Sequence, residues 1–342
     1  MIFGLRKPAE SSVLEGVDLV LADLDGVVYK GAGAIPFAIE SINRVAETIR
    51  VGYLTNNASR TDASVAEHLS SLGLSVKPED VVTSPQAAMK VLSGLVAPGS
   101  TVMVVGGEGI TFELDRAGYT VTRSALDNPA AVVQGFSPDL GWADLAEAAF
   151  ALHSREGEAD VHWVATNTDW TIPVARGIAP GNGTLVSAVH TAVGRLPIVA
   201  GKPEVPMFEV AKERFAASTA LVIGDRLDTD ILGANRAGLK SVLVLTGIDQ
   251  AKQVLAAVED QRPTFVMTDL RELHEPYPET RVSERSGTAV ISVGDAVVTR
   301  RGIDISVEKP GSAINRLRAG CAAIWLSGTS IHGLRVAPEL YS

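Results

Sequence analysis

The chain has 342 residues, 46% of them apolar and 20% charged, which is the make-up of a folded globular protein with room for two or three domains, not of a disordered or repetitive one. A formal charge of −10 excludes sequence-independent binding to nucleic acid or to an anionic membrane, both of which need a surface excess of lysine and arginine. The single cysteine, Cys321, rules out an intramolecular disulfide framework and a cysteine-built zinc site, and its GCAAIWL surroundings read as core.

The opening stretch MIFGLRKPAESSVLEG holds no apolar run of signal-peptide length, and no later run is long enough to span a bilayer. A cytoplasmic location without a membrane partner is the expectation. Short Val- and Leu-rich runs follow: VDLVLAD, RVGYLTN, ALVIGD, SVLVLTG and TFVMTDL, separated by stretches with helical spacing. That alternation predicts a Rossmann-like parallel α/β sheet, in which ligands gather at the carboxyl ends of the strands. The runs end in Asp23, Thr55, Asp225, Thr246 and Asp269.

The core is expected over residues 1–97 and 198–278. Between them, residues 98–197 carry their own strand and helix series: strands near TVMVVGG, AAVVQGF and VHWVATN, helices near GITFELDRAG and WADLAEAAFALHSREG. This predicts an inserted α/β cap domain, with the core pattern resuming at LPIVAGKP. The segment EPYPETRVSERSG has the composition of a linker. Beyond it, residues 286–342 form a small α+β appendage: a hairpin turning at Gly294-Asp295, a short helix around SAINRLRAG and a strand AAIWL. Its expected role is packing or a homodimer contact, with regulation as the alternative.

Four strand-end elements carry chemistry. Asp23 and Asp25, in DLDG, place two carboxylates at a loop, where a hard cation such as Mg²⁺ would relieve their repulsion and bind a phosphate. Thr55, Asn56 and Asn57 offer a hydroxyl and amides to phosphate oxygens. Lys202, in AGKPEVPMF, brings an ammonium ahead of a helix with Pro206 near its start, but a nucleotide P-loop is excluded by Leu196 and Pro203. GDRLDTDI supplies Asp225, Asp228 and Asp230; Asp228 or Thr229 can cap the next helix, whereas three carboxylates within six residues favour metal binding.

In this order, DLDGVVYKG, YLTNN, GKP and GDRLDTDI resemble the motifs of the haloacid dehalogenase (HAD) superfamily, over about residues 18–275. The chain looks like the branch of p-nitrophenylphosphatases and of phosphoglycolate, glycerol-3-phosphate and pyridoxal-phosphate phosphatases, whose large α/β cap lies between the second and third motifs. That resemblance implies a Mg²⁺-dependent phosphomonoesterase acting on a small phosphorylated metabolite, with glycerol 3-phosphate favoured over phosphoglycolate or pyridoxal phosphate. It makes Asp23 the nucleophile that becomes an aspartyl-phosphate and Asp25 the acid and then the base. Thr55 and Asn56 hold the phosphoryl group, and Lys202 neutralises charge. Mg²⁺ falls to Asp23, Asp225, the Asp25 carbonyl and Asp230. ATNTDWTIP resembles the family's substrate loop, with Thr168 where that pattern has proline, so Asn167, Asp169 and Trp170 are the substrate contacts. Trp170 can equally serve as pocket wall or as cap core. GNGTLV resembles a segment near the cap's return.

Three rival readings stand against a phosphatase. A dinucleotide-dependent dehydrogenase is suggested by Gly107-Glu108-Gly109 but fails at Phe112. A metabolite-binding protein on the same scaffold would have no use for the nucleophile, and a phosphotransferase would differ only in its acceptor.

Overall fold

The computed structural model describes residues 11–153, 160–174 and 176–341. The five expected runs form the strands Leu19–Asp23, Arg50–Thr55, Ala220–Gly224, Lys240–Val244 and Phe265–Met267, and a short strand the sequence reading did not single out, Val81–Thr83, joins them. All six are parallel, with Leu19–Asp23 in the interior between Arg50–Thr55 and Ala220–Gly224. Apolar clusters cover both faces, which is why these strands read as unbroken Val/Leu runs instead of alternating. The chain leaves Leu19–Asp23 in one direction through Arg50–Thr55 and, after the insertion, in the other through Ala220–Gly224. That reversal opens a crevice at the end of the first strand, beside Asp23.

The inserted segment builds a second parallel sheet, ordered Ile198–Val199, His162–Ala165, Ala131–Gln134, Thr101–Val105, Thr120–Thr122. Its helices are Glu108–Arg116, Trp142–Leu152 and Asn182–Val193. The end of the expected second helix, residues 154–159, lies outside the described residues, as do residues 1–10. LPIVAGKP does not resume the core sheet: Ile198 and Val199 pair with Val164 and Ala165 at the edge of the cap sheet. A two-residue strand between Pro197 and Gly201 has too little pattern to reveal which sheet it joins.

One face of the cap is continuous with the core. Val102, Val104, Ile110, Leu114, Val133 and Val164 of the cap share an apolar cluster with Leu54, Ala87, Leu92 and Phe208 of the core. A buried polar knot lies across the same boundary: Gln86 donates to Asp62 (2.9 Å) and to Glu113 on the cap helix (2.9 Å), while Arg214 donates to Gln86 (2.8 Å). Burial holds the Glu113 carboxyl above its ordinary range, opposed by Gln86 and Arg116. A rigid-body opening of the cap would have to part this cluster.

The C-terminal region departs most from its sequence reading. The expected linker contains the strand Thr280–Arg285, paired antiparallel with Thr288–Val293 through a turn at Ser286-Gly287, both at positive φ. Charged edge-strand residues such as Arg281 and Glu284 give a strand the composition of a linker. Ala296–Arg301, Asp304–Lys309 and Arg335–Val336 complete the sheet, with the Gly294-Asp295 turn where it was expected. AAIWL is not a strand. It belongs to the helix Ala313–Trp325, which buries Leu317, Cys321 and Ile324 against the sheet; a short apolar run fits either element until its neighbours are known. Arg318 anchors this helix to the core, donating to Val266 O at 2.7 Å and pairing with Glu272. Among the described residues no helix is long and apolar enough to cross a membrane.

Candidate active site

The strand Leu19–Asp23 delivers Asp23 to the crevice, Arg50–Thr55 delivers Thr55, and Ala220–Gly224 is followed at once by Asp225. The turn Leu227–Ile231 folds Asp230 back beside them. Ligand oxygens of Asp23, Asp225 and Asp230 lie within 4.8 Å of one another. Lys202 Nζ, itself buried, donates to Asp23 Oδ1 at 2.6 Å and to Asp230 Oδ1 at 2.7 Å. The sequence thus named all four of these groups.

Their electrostatics are mutually dependent. Burial, then the Asp230 charge, push Asp23 well above the carboxylate range, and Lys202 pulls it back. Burial and Asp230 likewise raise Asp225 to about 7, against the Ile248 N–H that donates to its Oδ2 at 2.7 Å. Burial alone would lower Lys202, but Asp23 and Asp230 outweigh it and hold the ammonium charged. Three clustered carboxylates, two of them fully buried, answered by one cation leave an excess of negative charge, and the donor set is all oxygen. Those are the requirements of a hard divalent cation, so the residues fit Mg²⁺. Gly26 (φ +82°) is tight against this set: a Cβ there would stand 2.3 Å from Asp225 Oδ2. Its carbonyl is held by Thr246 Oγ1 at 2.6 Å, which gives that strand-end threonine a place.

Asp25 stands at the mouth, exposed on one side, with its Oδ2 accepting from Tyr29 Oη at 3.4 Å. Desolvation by the surrounding walls raises its pKa, with Lys202 and Tyr29 opposing. Its carboxylate stands outside the Asp23–Asp225–Asp230 group. Asp228 also stands outside, with half-exposed oxygens in a two-point pair with Arg226 at 2.9 and 2.7 Å.

The asparagines divide differently from expectation. Thr55 is buried, and its hydroxyl accepts from Asn57 N (3.1 Å), which leaves its proton to donate. The Asn56 side chain is a clamp: Nδ2 donates to Lys202 O (3.0 Å) and to Asp169 Oδ1 (3.1 Å), and Oδ1 accepts from Lys202 N (2.9 Å). With both amide hydrogens engaged, only its backbone N–H is left to meet a phosphoryl group. Asn57 is exposed and closes a turn onto Ser59 N.

On the cap side, Asn167 is buried, donating to Asn56 O (2.7 Å) and accepting from Asp169 N (3.1 Å), so the loop keeps a tight turn with Thr168 in place of proline. Asp169 faces Asn56, its carboxyl raised chiefly by burial. Trp170 is 62% exposed, which removes the cap-core reading. The glycines of GNGTLV let the next helix begin against this loop, since a Cβ on Gly183 would stand 2.4 Å from Thr168 O. Gly109 of the failed dinucleotide pattern has a similar duty: its Cβ would meet Ala58 O and Arg60 O at 2.6 Å. The core loop occupies the place where a cofactor would lie.

Two family models match the chain: haloacid dehalogenase-like hydrolase over residues 20–120 and HAD-hydrolase-like over residues 199–273. D-glycerol 3-phosphate phosphatase of Mycobacterium tuberculosis is 42% identical over 92% of this chain and 87% of its own length. The chain belongs to the haloacid dehalogenase-like hydrolases. Within this hydrolase family it stands with the capped phosphatases. Human chronophin is 36% identical over 79% of this chain and 97% of its own. The glycerol phosphate phosphatase of M. tuberculosis, solved in complex with magnesium, superposes with a TM-score of 0.82 at 40% identity, covering 96% of both chains. The 4-nitrophenylphosphatase of Thermotoga maritima gives 0.70 at 28% identity over 77% of this chain and 98% of that one.

Proposed function

We propose that this phosphatase hydrolyses glycerol 3-phosphate with Mg²⁺, through a phosphorylated Asp23. The likeness to the mycobacterial relative carries the substrate assignment, because that match includes the C-terminal module while chronophin and the nitrophenylphosphatases match only about three quarters of the chain. The site chemistry agrees. Arg226 is already answered by Asp228, and Asp169 adds negative charge on the cap side, so a neutral glycerol leaving group is better suited than the second carboxylate of phosphoglycolate.

Asp23, Asp225 and Asp230, with the Asp25 carbonyl, would hold Mg²⁺, which supplies charge neutralisation at the phosphate oxygens. Lys202 steadies Asp23 and offsets negative charge spread over the transferring group. The Thr55 hydroxyl and the Asn56 N–H bind phosphoryl oxygens. The Asp23 carboxylate attacks phosphorus while Asp25 gives its proton to the departing glycerol oxygen. Asp25 then takes a proton from water, whose oxygen attacks the acyl phosphate and releases inorganic phosphate and free Asp23.

Measuring kcat/KM with Mg²⁺ for glycerol 3-phosphate, phosphoglycolate and pyridoxal phosphate tests the substrate; the first should lead by tenfold or so, and a lead by either other ester overturns the assignment. Asp23→Asn should lower kcat about a thousandfold or more without unfolding the chain. Turnover that survives in this variant would refute the covalent route.

A further inference from the structure

The C-terminal module is joined to the metal-binding carboxylates by an unbroken run of contacts. The loop Thr246–Gln250 is its inner end. From that loop Ile248 N donates to Asp225 Oδ2 (2.7 Å), Asp249 N donates to Asp225 O (3.1 Å), Asp249 Oδ2 accepts from Leu227 N (2.6 Å), and Thr246 Oγ1 holds Gly26 O (2.6 Å). The segment that leaves the first strand through Asp25 and Gly26 and the one that leaves Ala220–Gly224 through Asp225 are therefore both held by one five-residue loop. Gln250 closes the loop by donating to Leu245 O (3.1 Å) and Gly247 O (3.0 Å), and it leads directly into the helix Ala251–Leu255.

That helix has little support from the core sheet alone, being five residues long. Val254 and Leu255 are buried in an apolar cluster whose other members come from two places: Leu227, Ile231 and Leu243 of the core, and Leu317, Cys321, Ile324 and Leu340 of the module. The fit is closest at Gly320 on the helix Ala313–Trp325, where a Cβ would stand 2.8 Å from Leu340 Cδ2 and 3.3 Å from Leu255 Cδ2. Leu227 and Ile231 are the two ends of the turn that carries Asp230. So the same cluster touches the metal turn directly and, through Ala251–Leu255, the loop that holds Asp225.

We propose that the module is a positioning element for the cation site: packing of Ala313–Trp325 on Leu255 fixes the Thr246–Gln250 loop and with it the geometry of Asp225 and Asp230. Leu255 and Gly320 are positioning residues and touch neither substrate nor metal. The inference rests on the reading of Asp225 as a ligand to Mg²⁺, and it goes beyond that reading in assigning the module a role.

The test is calorimetric titration of the full chain with MgCl₂, without substrate, comparing wild type, Gly320→Val, Leu340→Ala and, as a control on the module's outer sheet face, Thr299→Ser. Gly320→Val drives the helix away from Leu255; Leu340→Ala loosens the same joint without a clash and serves if the first variant does not fold. Mg²⁺ affinity should fall about tenfold in a folded joint variant and stay unchanged in Thr299→Ser, and kcat should recover at saturating Mg²⁺. A wild-type chain that takes up no Mg²⁺ would overturn the metal reading itself. Normal uptake by wild type and by a folded joint variant alike would overturn the positioning role, as would a kcat loss that excess Mg²⁺ does not restore.

Discussion

At the residue scale, Lys202 joins stability to chemistry. Its ammonium is buried between Asp23 and Asp230 at 2.6 and 2.7 Å, and removing one partner of a buried charge group leaves the others uncompensated. Lys202→Met should therefore destabilise the metal-free chain by about 3–5 kcal/mol in denaturant unfolding. Added Mg²⁺ should recover part of that loss, because the cation answers the same carboxylates. Asn56 shows how far type and position carry a reading. The sequence marked it as a phosphate ligand, but its amide hydrogens bind Lys202 O and Asp169 Oδ1, which lie 146 and 113 residues away. No local pattern encodes such distant partners.

At the element scale, the cap helix Glu108–Arg116 docks through a backbone contact that only glycine permits. Gly109→Ala should cost about 1–3 kcal/mol of overpacking, since the obstructing atoms are the carbonyls of Ala58 and Arg60 and not movable side-chain ends. Thermal melts would show the loss, and KM should rise because the core loop beside Asn56 is displaced. The module helix Ala313–Trp325 offers a pH test. Asn315 and the Ser312 N–H hold Asp295 down at about 2, and these bonds tie the Gly294-Asp295 hairpin turn to the start of this helix. A depressed carboxyl stabilises above its unfolded pKa of about 3.9 and loses that contribution as pH falls through its folded value. The melting-temperature advantage of wild type over Asp295→Ala should thus be constant down to about pH 4 and shrink toward pH 2. An advantage that persists unchanged at pH 2 would remove this carboxylate from the account.

At the scale of the whole molecule, three bodies share two seams. The cap and core meet in one apolar cluster, and the module and core meet in another that surrounds Cys321, which is 2% exposed and whose thiol burial pushes up. Being the only cysteine, it reports on that seam. Labelling by a thiol reagent should be slower in the native chain than in the denatured chain by a factor that tracks the free energy of opening. Prompt labelling of the native protein would show that the module leaves the core readily.

The sequence by itself determined the parallel core sheet, the order of its polar strand ends and the choice of Asp23, Thr55, Lys202, Asp225 and Asp230 as site candidates. These follow from short-range facts: apolar runs buried on both faces, and polar residues at the ends where such strands leave the core. Tertiary structure decided the rest. It assigned Ile198–Val199 to the cap sheet, turned a charged linker into an edge strand and AAIWL into helix, and exposed Trp170. It also made Asn56 a clamp instead of a side-chain ligand. Each of those outcomes depends on a partner far along the chain, and the free energy of a contact with a distant partner leaves no periodic trace in the local sequence.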